Sequence, residues 1–286
     1  MTIELKNGDC LELMKSLPDK SIDLFICDLP YGETNCKWDS KIDLEEFWKQ
    51  FKRLRRSKKT ACIHFCSTKF GYSLIKSWEK GFKMDMVWKK RNKTGGLQSK
   101  YRPMRNHEML YFFYEQAPKY NRDKYHKRIK SHSAEYTPSK EVTAGGTMPY
   151  CGTPHHHDPP NPVSVIEAED PIYGEKKGKR HDRYLKSGTG AHHPPCPGSV
   201  VVEDDEPVSM FESEKVFIGK RHHQTEKPQD ILEFFLKYWT DEGDTVLDPT
   251  MGSGSTGVAC KKMGRNFIGI ELDEKIFKVA ENRCAK

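Results

Sequence analysis

The chain has 286 residues and a formal net charge of +7, with 31% charged and 35% hydrophobic residues. That length buries a full core and suits one large domain or a domain with a smaller insert. No apolar stretch is long enough to cross a bilayer, no cleavable signal opens the chain, and the nine cysteines are odd in number and lack paired C-x-x-C spacing. A reduced, cytoplasmic setting is expected, with thiols such as Cys27, Cys62 and Cys260 buried in apolar runs.

From the N-terminus, Leu11, Met14 and Leu17 stand at helical spacing and end at the Pro18-Asp19 turn. Ile22 to Cys27 is a short, almost wholly apolar run, as expected of a strand buried on both faces. Leu44, Phe47, Trp48, Phe51 and Leu54 define an amphipathic helix. Ala61 to Cys66, Phe82 to Trp88 and Met109 to Tyr114 follow as strands, the rhythm of a parallel α/β sheet. Two basic runs punctuate this half. Lys49, Lys52, Arg53, Arg55, Arg56, Lys58 and Lys59 suit a solvated helix face. Lys89, Lys90, Arg91, Lys93, Lys100, Arg102 and Arg105, interrupted by Gly95, Gly96 and Tyr101, suit nucleic-acid contact.

Residues 119–222 break the rhythm: Pro, Gly, His and charge dominate and apolar periodicity fades, so an irregular insert is expected there. The pattern returns over 223–286, with a helix at 226–239, a strand at 245–247, a helix at 255–263, a strand at 267–270 and a last helix at 273–283. The chain therefore divides at 1–118, 119–222 and 223–286.

The segment from Val246 to Gly257 reads as strand, glycine-rich loop and helix. Gly252, Gly254 and Gly257 fit G-x-G-x-x-G, in which the backbone comes close to a ligand at a helix N-terminus. Glu271 follows the next strand about twenty residues on, where an acid binds ribose hydroxyls. These features alone suit a nicotinamide dinucleotide as well as an adenosyl ligand.

Asp248-Pro249-Thr250-Met251-Gly252-Ser253-Gly254-Ser255-Thr256 resembles the D-P-F-x-G-S-G-T-T loop of amino-group DNA methyltransferases that bind S-adenosylmethionine. Thr250 and Met251 depart from it where the family shows a Phe and a small residue. His223-Gln224-Thr225-Glu226-Lys227-Pro228 resembles the family's H-x-T-x-K-P element near the methionine end of the cofactor. Asp28-Leu29-Pro30-Tyr31, directly after an apolar strand, resembles its D-P-P-Y signature, with Leu29 for the first Pro. The run from Asn7-Gly8-Asp9-Cys10 to Asp23 is similar to the family's N-terminal pattern.

The resemblance covers about residues 1–120 and 220–286, and the order of motifs is that of the beta class. It implies that Asp9, Thr225, Lys227, Asp248, Gly252, Gly254 and Glu271 hold S-adenosylmethionine, although helix capping competes as the role of Asp9. It implies that Asp28 and the Pro30 carbonyl accept hydrogen bonds from the target amine, while Tyr31 stacks on an extruded base. Trp38-Asp39 resembles a family W-D pair, and Asn106-His107-Glu108-Met109 a strand near the base pocket, with His107 as a packing or hydrogen-bonding residue. No covalent intermediate is needed, so the cysteines receive no catalytic role, and no metal is assigned.

The expected fold is a Rossmann-like methyltransferase α/β fold with a seven-stranded, mostly parallel sheet and an irregular insert. The expected activity is methylation of adenine N6 in double-stranded DNA by a prokaryotic or phage-encoded enzyme, with the insert choosing the target. A homodimer and a cognate restriction nuclease are the other partners the resemblance allows. Asp28 favours adenine over cytosine N4, since cytosine enzymes usually carry Ser there. Two other classes compete: a nicotinamide oxidoreductase, which leaves Asp28 to Tyr31 without a task, and a non-catalytic nucleic-acid or zinc module using Cys151, His155, His157, His181, His192 and Cys196, which lack paired short spacing.

Overall fold

A computed structural model describes residues 1–31, 42–94, 96–125 and 226–285, together with the backbone of short strands at 127–129, 156–158, 165–168 and 211–213. In chain order the first half contains β1 (Ile3–Asn7), α1 (Cys10–Lys15), β2 (Leu24–Cys27), α2 (Leu44–Leu54), β3 (Ala61–Cys66), α3 (Thr68–Ser77), β4 (Phe82–Thr94) and β5 (Arg105–Phe113). Then come α4 (Arg122–Tyr125), β6 (Lys127–Ile129), β7 (His156–Asp158), β8 (Val165–Ala168) and β9 (Phe211–Ser213). The last part holds α5 (Gln229–Trp239), β10 (Thr245–Asp248), α6 (Ser255–Lys262), β11 (Asn266–Glu271) and α7 (Glu274–Ala285).

The main sheet has the order β1-β11-β10-β2-β3-β5-β4-β8-β9. From β1 to β3 all neighbours are parallel, β5 is antiparallel to β3, and β4 is antiparallel to β5. These make up the seven-stranded, mostly parallel sheet expected, six of them where the sequence places strands, with β1 the one it does not mark. β8 and β9 extend the β4 edge in parallel, and β6 pairs with β7 in a separate ribbon. The region expected to be irregular thus contributes strands, each of three or four residues, too short for alternation to register in sequence.

The apolar runs of β2 and β3 are buried along their whole length because helices cover both faces. On one face Leu24, Ile26, Ile63 and Val246 pack with Phe234 and Phe235 of α5 and Ala259 of α6. On the other, Phe25, Cys27, Cys62 and Leu247 pack with Phe47 and Phe51 of α2 and Phe70 and Leu74 of α3. The described cysteines are free thiols, and Cys27, Cys62, Cys66, Cys260 and Cys284 are buried. Among the described residues no helix is long and apolar enough to cross a membrane.

What positions the site is the junction of β10 and β2. Val246 lies opposite Leu24 and Leu247 opposite Phe25, yet β10 continues through α6 to β11 on one side while β2 continues through α2 to β3 on the other. The strand order reverses between them, which opens a crevice at their carboxyl ends. Asp248 ends one strand and Asp28 follows the other.

Six of the seven residues of the first basic run have partners, and none of the seven lines this crevice. Lys49 pairs with Glu46, Arg53 with Asp19, Arg55 and Lys58 with Glu115, and Arg56 with Asp23, while Lys52 lies over the Trp78 ring. The Arg56 amide donates to the Ile22 carbonyl, so the end of the run sits at the amino edge of β2.

Candidate active site

Asp9, Asp28, Pro30, Lys227, Asp248, Thr250, Gly252 and Glu271 line one cavity of about 260 Å³ at the crevice. Motifs from both ends of the chain therefore meet. Asp9 caps α1, accepting from the Glu12 amide at 3.0 Å, and also lines the cavity, so its capping and ligand-facing roles coexist.

Asp248 organises the glycine loop. Its carboxylate accepts from the Thr256 hydroxyl at 2.7 Å and from the Thr250 amide at 3.1 Å, and burial pushes its pKa up to about 7. Glu271 accepts from the amides of Gly252 at 3.0 Å and Asp273 at 2.8 Å, and burial raises its carboxyl above the usual range. The two glycines of the loop differ. Gly252 is left-handed at φ +53°, and a Cβ there would meet nothing within 4 Å. Gly254, in the left-handed region at φ +80°, is outside the cavity lining, and a Cβ on it would stand 3.0 Å from that of Ala280 on α7. The departures from the family loop are also accounted for. Met251 is buried and occupies the space above Gly269, where a Cβ would come within 2.3 Å of its sulfur. Thr250 lines the cavity with its hydroxyl buried and without a partner.

These features fit an adenosyl ligand: carboxylates at Asp9 and Glu271 for amine and hydroxyl donors, an open approach over Gly252, and an unsatisfied hydroxyl at Thr250.

At the other side of the cavity, Lys227 Nζ lies 2.8 Å from Asp28 Oδ2 and 3.2 Å from Glu108 Oε1. Burial disfavours the ammonium, but the Asp28 and Glu108 charges outweigh it and hold its pKa above the ordinary lysine value. Glu108 is buried too, yet Lys227 and Lys90, whose Nζ is 2.6 Å away, keep its pKa below the usual range. The Tyr31 hydroxyl lies 2.9 Å from Asp28 Oδ1 and 3.0 Å from the Phe65 carbonyl, and its ring stacks on Phe70 at 4.9 Å. Burial, reinforced by Asp28 and Glu108, raises the Tyr31 pKa well above normal, so the hydroxyl remains a donor. His107 is held below its ordinary value by burial, then Arg105 and Lys90.

Thr225, the Trp38-Asp39 pair and the His/Cys set from Cys151 to Cys196 lie outside the described residues, apart from the backbone of His157 in β7. The neighbour of Thr225 is placed: Glu226, its side chain buried, pairs with Arg283 of α7 and accepts from the Ser255 hydroxyl at 3.2 Å, fastening the Lys227 segment to the glycine loop. Sequence reasoning gives no role to Glu226, places Glu108 only within a strand near the base pocket, and reads Lys90 as part of a run for nucleic-acid contact, whereas Lys90 pairs with Glu108 at the site. A carboxylate inside the apolar strand β5 is the available signal for Glu108.

An acidic signature and a glycine loop at adjoining strand ends of a doubly wound sheet define a methyltransferase-type site. The chain matches the N6/N4 DNA methylase family model over residues 22–282, and it belongs to that family. The Type II methyltransferase M1.MboII of Moraxella bovis is 27% identical across 93% of this chain and 90% of its own. M.HinfI of Haemophilus influenzae is 24% identical across 96% of this chain, which spans 66% of that relative. M2.LlaDCHI of Lactococcus lactis subsp. cremoris is 42% identical over 27% of this chain and 28% of its own length. The fold is shared with M1.HpyAVI, solved with S-adenosylmethionine (TM-score 0.53, 20% identity, 99% of this chain and 100% of that one). It is also shared with the cytosine-N4-specific PvuII DNA methyltransferase (TM-score 0.57, 15% identity, 99% and 86%).

Proposed function

We propose that this protein is an S-adenosylmethionine-dependent DNA methyltransferase that acts on the N6 amine of an adenine flipped out of double-stranded DNA. The observation that carries the reading is the shared cavity: Asp28 and Pro30 line the same space as Gly252 and Glu271. Asp9, Thr250, Gly252 and Glu271 would hold the cofactor, with Lys227 and Thr225 toward its methionine end and Asp248 and Gly254 shaping the loop. S-adenosylmethionine, when bound, supplies a methyl group made electrophilic by its sulfonium.

The chain's own residues prepare the nucleophile. An adenine amine is weak because its lone pair is delocalised into the ring, and acceptors at Asp28 and Pro30 favour a more pyramidal nitrogen. Lys227 and Tyr31 fix the Asp28 carboxylate at both oxygens, so the acceptor is oriented before the base arrives. With one face of Tyr31 on Phe70, its opposite face would receive the base.

Cytosine N4 is the second reading, since one of the structures sharing the fold is a cytosine-N4 enzyme. Asp28, where cytosine enzymes usually have Ser, favours adenine. Methylome sequencing of DNA from cells expressing the protein tests both. N6-methyladenine in one sequence context is expected, N4-methylcytosine would transfer the assignment, and unmodified DNA would remove it. Residues 119–222 would choose that context, a homodimer would appear in light scattering, and a cognate nuclease would cut only unmodified copies of the site.

A further inference from the structure

Strands β4 and β5 form a hairpin that outgrows the sheet. Met109 of β5 is level with Cys66, the last residue of β3, so Arg105 to Glu108 extend beyond the carboxyl edge. Glu108 is at the site itself, beside Tyr31 and Lys227. At about 3.4 Å per residue, Arg105 stands roughly 10 Å further out. The tip beyond it carries two of the most exposed large hydrophobic side chains described: Leu97 is 100% exposed and Tyr101 89%. Tyr101 is presented on a braced turn, its amide donating to the Gln98 carbonyl at 2.9 Å. Lys100 and Arg102, the chain neighbours of Tyr101, and Arg105 at the start of β5 are exposed as well.

An apolar pair set among cations, held above a crevice that takes up a base, matches a duplex at the step where that base leaves the stack. Phosphates answer the cations, and the gap left in the stack answers the apolar groups. We propose that the β4–β5 tip is a DNA wedge: Leu97 and Tyr101 enter the base stack beside the target, and Lys100, Arg102 and Arg105 hold the flanking phosphates. The proposal rests on the methyltransferase reading and adds to it the element that stabilises the opened duplex.

The test uses the full chain and two duplexes bearing the site found by methylome sequencing, one fully paired and one mismatched at the target base. On the paired duplex, Leu97→Ala/Tyr101→Ser should raise KM for DNA by about tenfold or more, the order expected when stacking on a base is removed. On the mismatched duplex, where opening is already achieved, KM should stay within about twofold of wild type. Tyr101→Trp should keep most of the function, and calorimetric affinity for S-adenosylmethionine should be unchanged in every variant. Wild-type KM on the paired duplex, or an equal defect on both duplexes, would overturn the wedge. A dimer that falls apart in the double variant would overturn it in favour of a contact between copies. A wild-type protein that methylates neither duplex would instead remove the underlying reading.

Discussion

The ammonium of Lys227 lies 2.8 Å from the carboxylate of Asp28, so residues 199 positions apart in sequence share one charge pair at the mouth of the crevice. One belongs to the acidic signature after β2, the other to the segment before α5. The pair orients Asp28 from one side and Tyr31 orients it from the other.

Asp28→Ala removes the acceptor. Single-turnover methyl transfer with labelled cofactor should fall by about a hundredfold or more, the usual cost of losing a preorganised polar group at the reacting centre. Calorimetric affinity for S-adenosylmethionine should change little. Tyr31→Phe keeps the ring but leaves Asp28 oriented by Lys227 alone, so its loss should be smaller. An Asp28→Ala protein that binds both ligands and transfers at the wild-type rate would take the carboxylate out of the reaction.

Glu108 acts through its neighbours. Glu108→Gln keeps the shape but loosens Lys227 and Tyr31, and should lower kcat by about tenfold, equivalent to ~1.4 kcal/mol, without weakening cofactor binding. Lys227→Met strips Asp28 of its ammonium and leaves Glu108 with Lys90 as its remaining counter-charge. It should cost about 3 kcal/mol in urea denaturation, as expected when one member of a buried ion pair is removed.

The two loop glycines should fail in different ways. Gly252→Val adds a side chain at the cavity lining from a backbone at φ +53°, so it should abolish calorimetric binding of S-adenosylmethionine as well as lower Tm, with no clash on α7. Gly254→Val crowds Ala280 and Cys284, so its first effect should be a lower Tm with α7 loosened. If Gly254→Val melts like wild type and simply fails to bind cofactor, the packing account is wrong.

How much of this is legible in sequence depends on burial. β2 and β3 are apolar throughout because helices cover both their faces, and they stand out. β1 is an edge strand whose Glu4 and Lys6 pair with each other, and five residues of mixed polarity carry little signal. α3 is silent in sequence because its buried face is only Phe70, Gly71 and Leu74, with Gly71 kept small by the Tyr111 ring a Cβ would strike. The G-x-G-x-x-G pattern identifies the glycines but not the direction in which each lacks a side chain. Arg53 with Asp19 and Arg55 with Glu115 are pairings that only the folded chain brings together.

Asp248 should leave a pH signature. Its pKa rises from 3.8 to about 7 on burial, so the native state binds the extra proton between these values. Its contribution to stability is therefore present below about pH 4 and is lost as the pH climbs through 7. Asp248→Asn removes that dependence. The stability of the variant relative to wild type should rise by about 2–4 kcal/mol between pH 4.5 and pH 7.5, measured by urea denaturation. A difference that stays constant with pH would mean the carboxyl does not titrate in this window.

The two basic runs should part company in DNA binding. Lys49 and Lys58 pair with nearby acids, and the end of their run sits at the amino edge of β2, away from the crevice. Their replacement by Gln should leave the salt dependence of affinity unchanged. Lys100→Gln with Arg102→Gln should flatten the slope of log affinity against log salt by about 0.9 for each phosphate no longer neutralised. Equal effects from both runs would refute the division.

The pairing of β1 with β11 has a consequence for the architecture as a whole. Ile3 lies opposite Phe267 at the amino edge of the sheet, and α7, descending from the carboxyl edge after β11, packs on β1 and ends near that same edge. The first and last described elements are thus neighbours, while the crevice joins the two halves at β2 and β10. Circular permutation follows naturally: a chain opened between residues 125 and 226, with its present ends joined by a short linker, would meet the glycine loop first and the acidic signature second, yet lay down the same strands in the same order. The order of the motifs along the polypeptide is then separable from the crevice they build, which requires only that β2 and β10 lie side by side.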